Sequence, residues 1–109
     1  MRRLAHRLGY RFRLHRKDLP GKPDLVFPKH RKVMFVHGCF WHRHGNCPKA
    51  SMPKTRIKFW KEKFDRNVKR DRYALEALRA EGWQTLIVWE CETKDLEALE
   101  SRLIEFLEA

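Results

Sequence analysis

The chain has 109 residues, which is enough for one domain with a modest hydrophobic core. Its 25 lysines and arginines against 14 acidic residues give a net charge of +11, and this excess favours a polyanionic partner. No apolar stretch is long enough to span a membrane. Because three cysteines occur without a secretory signal, a disulfide framework is disfavoured and we expect the reducing cytoplasm.

The first part of the chain consists of short apolar segments separated by turns. Residues 2–8 read as the end of a helix, and residues 10–14 alternate in polarity as an edge strand does. A turn rich in proline and glycine follows at 17–23. Two short apolar runs come next, 24–27 and 33–37, and the second is apolar on both faces, which is typical of a central strand.

The rest of the chain predicts a loop followed by a helix, a strand and a second helix. Residues 38–54 are an irregular loop, and residues 55–80 form a long helix. Residues 83–89 are a strand buried on both sides, and residues 94–107 are an amphipathic helix. Two strands joined by a long helix imply a parallel crossover, so the fold class is α/β with a central mixed sheet flanked by helices.

The three cysteines are the strongest chemical signal. Cys39 and Cys47 enclose two histidines, His42 and His44, and Cys91 lies far downstream. Three thiols and one imidazole make a complete tetrahedral ligand set for zinc, and a site closed in this way holds a fold rather than performing chemistry. The alternative is that these are ordinary buried thiols. The polar surroundings of the first two cysteines favour the metal.

A carboxylate interrupts the buried side of the long helix. Asp71 falls on the apolar stripe formed by Ile57, Phe64, Val68, Leu75 and Leu78. An unpaired buried charge is costly, so Asp71 needs a partner. An arginine and a histidine are both open as that partner. His37, at the end of the central strand, is the natural histidine.

A second carboxylate lies at the beginning of a strand. Asp24 follows Pro23 directly, and carboxylates at strand ends of α/β sheets often hold a hard cation such as magnesium. A role in the turn, or as a capping residue, is the plainer alternative for Asp24 taken alone.

Aromatic residues lie among the basic ones. Phe40, Trp41 and Trp60 offer faces that stack on bases or wedge between them, although core packing is the commoner use of such rings. Excess positive charge also serves solubility or attraction to a membrane surface. The combination of charge and aromatic rings favours nucleic acid.

Several segments together resemble the very short patch repair (Vsr) endonucleases. They are LPGKPDLV at 19–26, FVHGCFWHRH at 35–44, FW at 59–60, NVKRDR at 67–72 and VWEC at 88–91. The resemblance implies a monomeric, strand-specific nickase that cuts double-stranded DNA beside a thymine mispaired with guanine, the lesion left when 5-methylcytosine is deaminated. It also implies a restriction-endonuclease-like fold and a location in the bacterial cytoplasm, at the nucleoid.

The resemblance also assigns roles to individual residues. Asp24 matches the magnesium-binding aspartate, and His42 the catalytic histidine that activates water. His37 and Asp71 match a hydrogen-bonded pair. Val36, at a second position of the magnesium site, stands where better-known members carry threonine. The remaining matches are the structural zinc ligands Cys39, His44, Cys47 and Cys91, and the DNA-wedging aromatics Phe40, Trp41 and Trp60.

Two other functions stay open. One is a non-catalytic, zinc-stabilised DNA-binding module, which would not require Asp24, His37, His42 and Asp71 together. The other is a nickase of different substrate choice on the same scaffold. We treat residues 1–109 as one Vsr-like domain, and we expect the family's N-terminal helix to lie upstream of Met1.

Overall fold

The computed structural model describes residues 2–14, 16 and 18–108. Its helices and strands, in chain order, are α1 (Arg2–Arg7), β1 (Leu25–Phe27), β2 (Lys32–His37), α2 (Ile57–Ala80), β3 (Gln84–Trp89) and α3 (Leu96–Glu108). Short 3₁₀ turns occupy Pro28–His30, Pro48–Ala50 and Glu90–Lys94. The predicted turn at 17–23 begins on Lys17, which lies outside the described residues. Within the described ranges, no helix combines the length and apolarity needed to cross a membrane.

The three strands form one mixed sheet in the order β1-β2-β3. β1 runs antiparallel to β2, with Leu25 opposite Met34. β2 and β3 are parallel, in a register that ends with His37 opposite Trp89. α2 is the crossover between these parallel strands, which confirms the predicted mixed sheet flanked by helices. The carboxyl ends of β2 and β3 therefore meet at one edge of the sheet.

Each face of the sheet carries its own core. One contains α1 and α3 residues and consists of Leu4, Ala5, Leu25, Phe27, Met34, Val88, Leu99, Leu103 and Leu107. The other consists of Leu19, Val26, Val33, Phe35, Leu78 and Trp83, with α2 supplying Leu78. Because side chains alternate along a strand, His37 points to the same face as Val33 and Phe35. The central strand thus presents a buried histidine to the side on which α2 packs.

Two predicted strands differ from the observed ones. Residues 10–14 do not form a strand ladder, and only Arg13 pairs, through an isolated bridge to Val26. The partner strand β1 has only three residues, so it offers few backbone groups with which residues 10–14 could pair. The strand predicted at 83–89 begins at Gln84, and of its residues only Val88 is buried. It lies at an edge of the described sheet, where the helices cover it incompletely.

The apolar stripe of α2 is also only partly buried. Phe64, Ala74 and Leu78 are buried, whereas Ile57 at the start of the helix is 55% exposed. Asp71 is half-buried, so its carboxylate does have a partly desolvated environment. The helix ends at Ala80, and α3 begins two residues later than predicted because a 3₁₀ turn occupies Glu90–Lys94.

Candidate active site and metal centre

The four predicted zinc ligands lie together in space. One ligand atom from each of Cys39, His44, Cys47 and Cys91 falls within 4.8 Å of all the others. The strand register explains part of this proximity. His37 and Trp89 are paired across β2 and β3, and Cys39 and Cys91 each lie two residues beyond that pair. A tetrahedral zinc with bonds of about 2.0–2.3 Å needs its ligands this close. The donor set therefore fits a closed zinc site.

The thiols of this cluster differ in their proton affinity. The pKa of Cys47 is lowered to about 7, mainly by a hydrogen bond from the Lys49 backbone and also by bonds with His44 and the other two thiols. Loss of hydration is the main cause that raises the pKa of Cys91 to about 11, and the two neighbouring thiols add to it. Metal binding requires thiolates. Cys47 reaches that form near neutral pH, while Cys91 needs a cation beside it.

The loop that carries these ligands is folded back on itself. The His42 amide donates to the Gly38 carbonyl at 3.1 Å, and the His44 amide to the Cys39 carbonyl at 3.0 Å. Arg43, with φ 55°, donates to the Ala50 carbonyl at 2.5 Å, and its guanidinium lies 4.1 Å from the Phe64 ring centre. Sequence reasoning missed this anchoring role, because an arginine in a basic segment carries no signal that distinguishes it.

A cavity of about 280 Å³ brings the other predicted site residues together. Its lining includes all five residues assigned to catalysis and magnesium: Asp24, Val36, His37, His42 and Asp71. β2 and the residue before β1 contribute one wall, and α2 contributes another. Residues from three separate segments of the sequence therefore meet in one solvent-accessible pocket.

Within this pocket Asp71 pairs with His42. The Nδ1 atom of His42 lies 2.7 Å from Oδ2 of Asp71. The hydrogen bond of Asp71 is therefore to His42 rather than to His37, and of the two kinds of partner left open by the sequence it is a histidine that meets this carboxylate. The reason is the fold of the loop after β2, which returns the His42 ring over His37 and toward α2. When Nδ1 donates to the carboxylate, Nε2 keeps its lone pair.

His37 instead lies beneath His42. The two imidazoles are stacked, with centroids 3.9 Å apart and planes 9° apart. The ring of His37 also contacts Phe35 and Trp89, and the residue is only 5% exposed. Burial is the main cause that lowers the pKa of His37, and the nearby His42 lowers it further. A neutral His37 ring can support His42 without competing for positive charge.

Asp24 lines the same pocket. Its Oδ2 accepts a hydrogen bond from the Val36 amide at 2.7 Å. This bond holds the carboxylate beside β2, although Asp24 itself is exposed. An exposed carboxylate with one oxygen still open suits a hard cation such as magnesium. The residues present therefore fit a cation that keeps several water ligands.

The three predicted DNA-wedging aromatics form one cluster. Phe40 contacts Trp41, Trp60 and the buried Phe64, at centroid distances of 5.1, 5.9 and 5.1 Å. Trp41 is 46% exposed, and Lys63 lies over both tryptophan rings. Phe40 is thus an anchor to the core, and Trp41 presents its ring to solvent. Phe59, which sequence reasoning left unassigned, adds an exposed ring beside Trp60.

The family follows from comparison with known proteins. A family model described as DNA mismatch endonuclease Vsr matches residues 1–49. The chain is 56% identical over 108 residues to the type II nicking enzyme V.XorIIP of Xanthomonas oryzae pv. oryzae, covering 99% of this chain and 79% of that protein. The chain belongs to the Vsr family of DNA endonucleases.

Two more Vsr relatives agree. The DNA mismatch endonuclease Vsr of Escherichia coli K12 is 46% identical over 101 residues, covering 92% of this chain and 64% of that protein. The type II nicking enzyme V.NmeAIP of Neisseria meningitidis serogroup A is 41% identical over 95 residues, covering 87% and 67% respectively. The chain therefore spans 64% to 79% of the length of these three relatives. The predicted resemblance to Vsr endonucleases is confirmed.

Proposed function

We propose that this Vsr family member nicks one strand of double-stranded DNA beside a thymine mispaired with guanine, by magnesium-assisted hydrolysis. The single observation that carries the proposal is the pocket that gathers Asp24 and the His42–Asp71 pair. A phosphodiesterase needs a base for water and a way to balance charge on the phosphate. The pocket contains a candidate residue for each of these two requirements.

His42 is the proposed general base. Its Nδ1 bond to Asp71 fixes the tautomer and leaves Nε2 to accept a proton from water. As the water oxygen bonds to phosphorus, that proton passes to Nε2 and Asp71 stabilises the imidazolium that results. The phosphorus–oxygen bond to the leaving sugar then breaks, and the leaving oxygen takes a proton from solvent. The products are a phosphate monoester and a hydroxyl at the nick.

Asp24 is the proposed magnesium ligand, with the backbone carbonyl of Val36 as a second one. When bound, magnesium supplies charge stabilisation for the phosphate oxygens. The hydrogen bond from the Val36 amide orients the Asp24 carboxylate toward the pocket. The side chain at position 36 takes no part in this arrangement, so a valine in place of threonine is compatible with it.

The aromatic cluster supports recognition of a mismatch. Unstacking a mispaired step costs less than opening a matched one, and an exposed ring such as Trp41 is suited to fill the opened step. The proposed zinc of the cysteine cluster is structural and holds the loop that carries both Trp41 and His42. The relatives named as a mismatch endonuclease and as nicking enzymes support this substrate.

The test compares nicking of two duplexes that differ only in one T:G pair, with magnesium and with chelator. We expect a single-strand break beside the T:G pair, formed only with magnesium, and little product from the matched duplex. His42→Ala should bind the duplex and fail to nick it. Binding without nicking by the wild-type protein would instead favour the non-catalytic module, and equal nicking of both duplexes would favour a different substrate.

A further inference from the structure

Two cations line the catalytic pocket and have no role in the mechanism given above. Lys22 lies in the turn before β1, and Arg70 is the neighbour of Asp71 on α2. Both side chains are exposed. Within the described ranges, neither side chain makes a hydrogen bond or an ion pair. Two positive charges from separate elements are thus available to something that enters the pocket.

The backbone at Lys22 is unusual for a residue with a side chain. Its φ is 49°, in the left-handed region, and it follows Gly21 at φ 73°. The turn is packed closely, because a Cβ on Gly21 would lie 2.7 Å from the Cβ of Ala74 on α2. The surrounding structure therefore holds Lys22 in a conformation that a lysine seldom adopts. Strain of this kind is common where a side chain must be held at a functional site.

The charges of the pocket indicate a role for Lys22 and Arg70. Asp24 and Asp71 place two carboxylates in the space that a DNA phosphate must enter. The proposed magnesium would offset the charge of Asp24, and further positive charge nearby would favour the entry of an anionic substrate. Arginine offers a planar fork that matches two phosphate oxygens, and lysine offers a mobile point charge. The pair is therefore suited to a phosphodiester.

We propose that Lys22 and Arg70 form a clamp on the phosphate at the nick, holding its non-bridging oxygens and neutralising the charge that builds up during water attack. This proposal rests on the proposed function, since it names the part of the substrate that the same pocket grips. Lys69, next to Arg70 on α2, is exposed but does not line the pocket, and Lys29 lies beyond the far end of β1. These two lysines are the matched controls.

The first experiment measures single-turnover nicking of the T:G duplex at saturating protein. Lys22→Gln and Arg70→Gln should each slow nicking by about 10²- to 10³-fold, the loss typical of one preorganised donor to developing charge. Lys29→Gln and Lys69→Gln remove the same charge and should stay within about threefold of wild type, as expected of unrelated surface positions. Arg70→Lys keeps the charge without the fork, so its rate should lie between those of wild type and Arg70→Gln.

A second experiment tests the clamp without relying on catalysis. A duplex with one neutral methylphosphonate at the phosphate beside the mispaired thymine is compared with the unmodified duplex for binding. Wild type and the two control variants should lose affinity for the modified duplex, whereas Lys22→Gln and Arg70→Gln should lose less. Melting temperatures of all variants establish that each is folded.

The outcomes separate the two proposals. If wild type fails to nick any duplex, the proposed function is wrong, and the methylphosphonate comparison still decides the clamp. If wild type nicks while Lys22→Gln and Arg70→Gln match their controls in rate, the clamp is wrong. Equal loss of affinity for the methylphosphonate duplex in all variants also overturns it.

Discussion

The loop after β2 supplies ligands to two neighbouring clusters that differ in kind. Cys39, His44 and Cys47 join Cys91 in the cysteine cluster, which offers three thiols and one imidazole to one ion. His42, from the same loop, joins Asp71 in a pocket open to solvent. A fully ligated ion has no position for a substrate, whereas a histidine held at one nitrogen keeps the other for chemistry. The proposed structural and catalytic roles are thus separated by a few residues of one loop.

The two clusters depend on each other through their shared backbone. The loop returns toward the sheet through the hydrogen bond from His42 to Gly38, and the cysteine cluster brings Cys39 and Cys47 of this loop beside Cys91, two residues past β3. The pocket contains a smaller group, in which ligand atoms of His37, His42 and Asp71 lie within 4.8 Å of one another. It receives its geometry from the sheet, from α2 and from the loop that the proposed zinc would hold in place.

The largest effect is expected from removing the proposed catalytic groups of the pocket. His42→Ala should reduce the nicking rate by about 10²- to 10⁴-fold, as loss of a general base typically does. Asp24→Ala should also reduce the rate strongly, because it removes the proposed magnesium ligand. DNA affinity should stay within a few-fold of wild type in both variants. The measurement is single-turnover nicking together with a binding titration. His6→Ala and Asp65→Asn, at exposed positions outside the pocket, are the controls. Wild-type nicking by His42→Ala would exclude it as the base.

The pairing of Asp71 can be tested with a double-mutant cycle. Asp71→Asn should slow nicking in the wild-type background. In the His42→Ala background it should slow nicking by less than about a further tenfold, because the effects of residues that act as a unit are not additive. In the His37→Gln background its full effect should remain. If the loss of effect appeared with His37→Gln instead, the pairing first predicted from the sequence would describe the working enzyme.

The cysteine cluster is expected to contribute stability rather than rate. Purified protein should contain one zinc, and Cys91→Ser should lower the free energy of unfolding by about 4 kcal/mol or more, because metal binding is coupled to folding. Gly45→Ser introduces the same side chain in the loop after β2, where a Cβ meets nothing within 4 Å, and it should melt like wild type. Full stability after chelation, with no zinc by metal analysis, would refute the structural site.

The smallest effects separate the two roles within the aromatic cluster. Trp41→Ala should reduce the preference for T:G over matched DNA while changing stability by about 1 kcal/mol or less, because its ring is 46% exposed. Phe40→Ala should cost about 1–3 kcal/mol, since Phe40 packs on the buried Phe64. Binding competition and thermal melts measure the two quantities. Equal loss of stability in both variants would make Trp41 a core residue.

The sequence by itself determined the parts of this protein that depend on local pattern. The spacing of the apolar residues predicted a long helix between two strands. Because strands joined by such a helix are parallel in the sheet, the parallel pairing of β2 and β3 could also be predicted. The three cysteines, whose thiols are soft metal ligands, predicted one metal-binding cluster. Asp71 was recognised as a carboxylate on a buried stripe because helical spacing depends only on nearby residues.

Only the tertiary structure decided which histidine meets Asp71. His37 and His42 are five residues apart, and both are within reach of α2. The choice depends on how the intervening turn stacks one ring on the other. The same applies to Arg13, whose single bridge replaces a predicted strand because its partner β1 is short. Lys22 and Arg70 are two more basic residues among many until the fold places them in one pocket, since distances between remote segments are properties of packing rather than of local pattern.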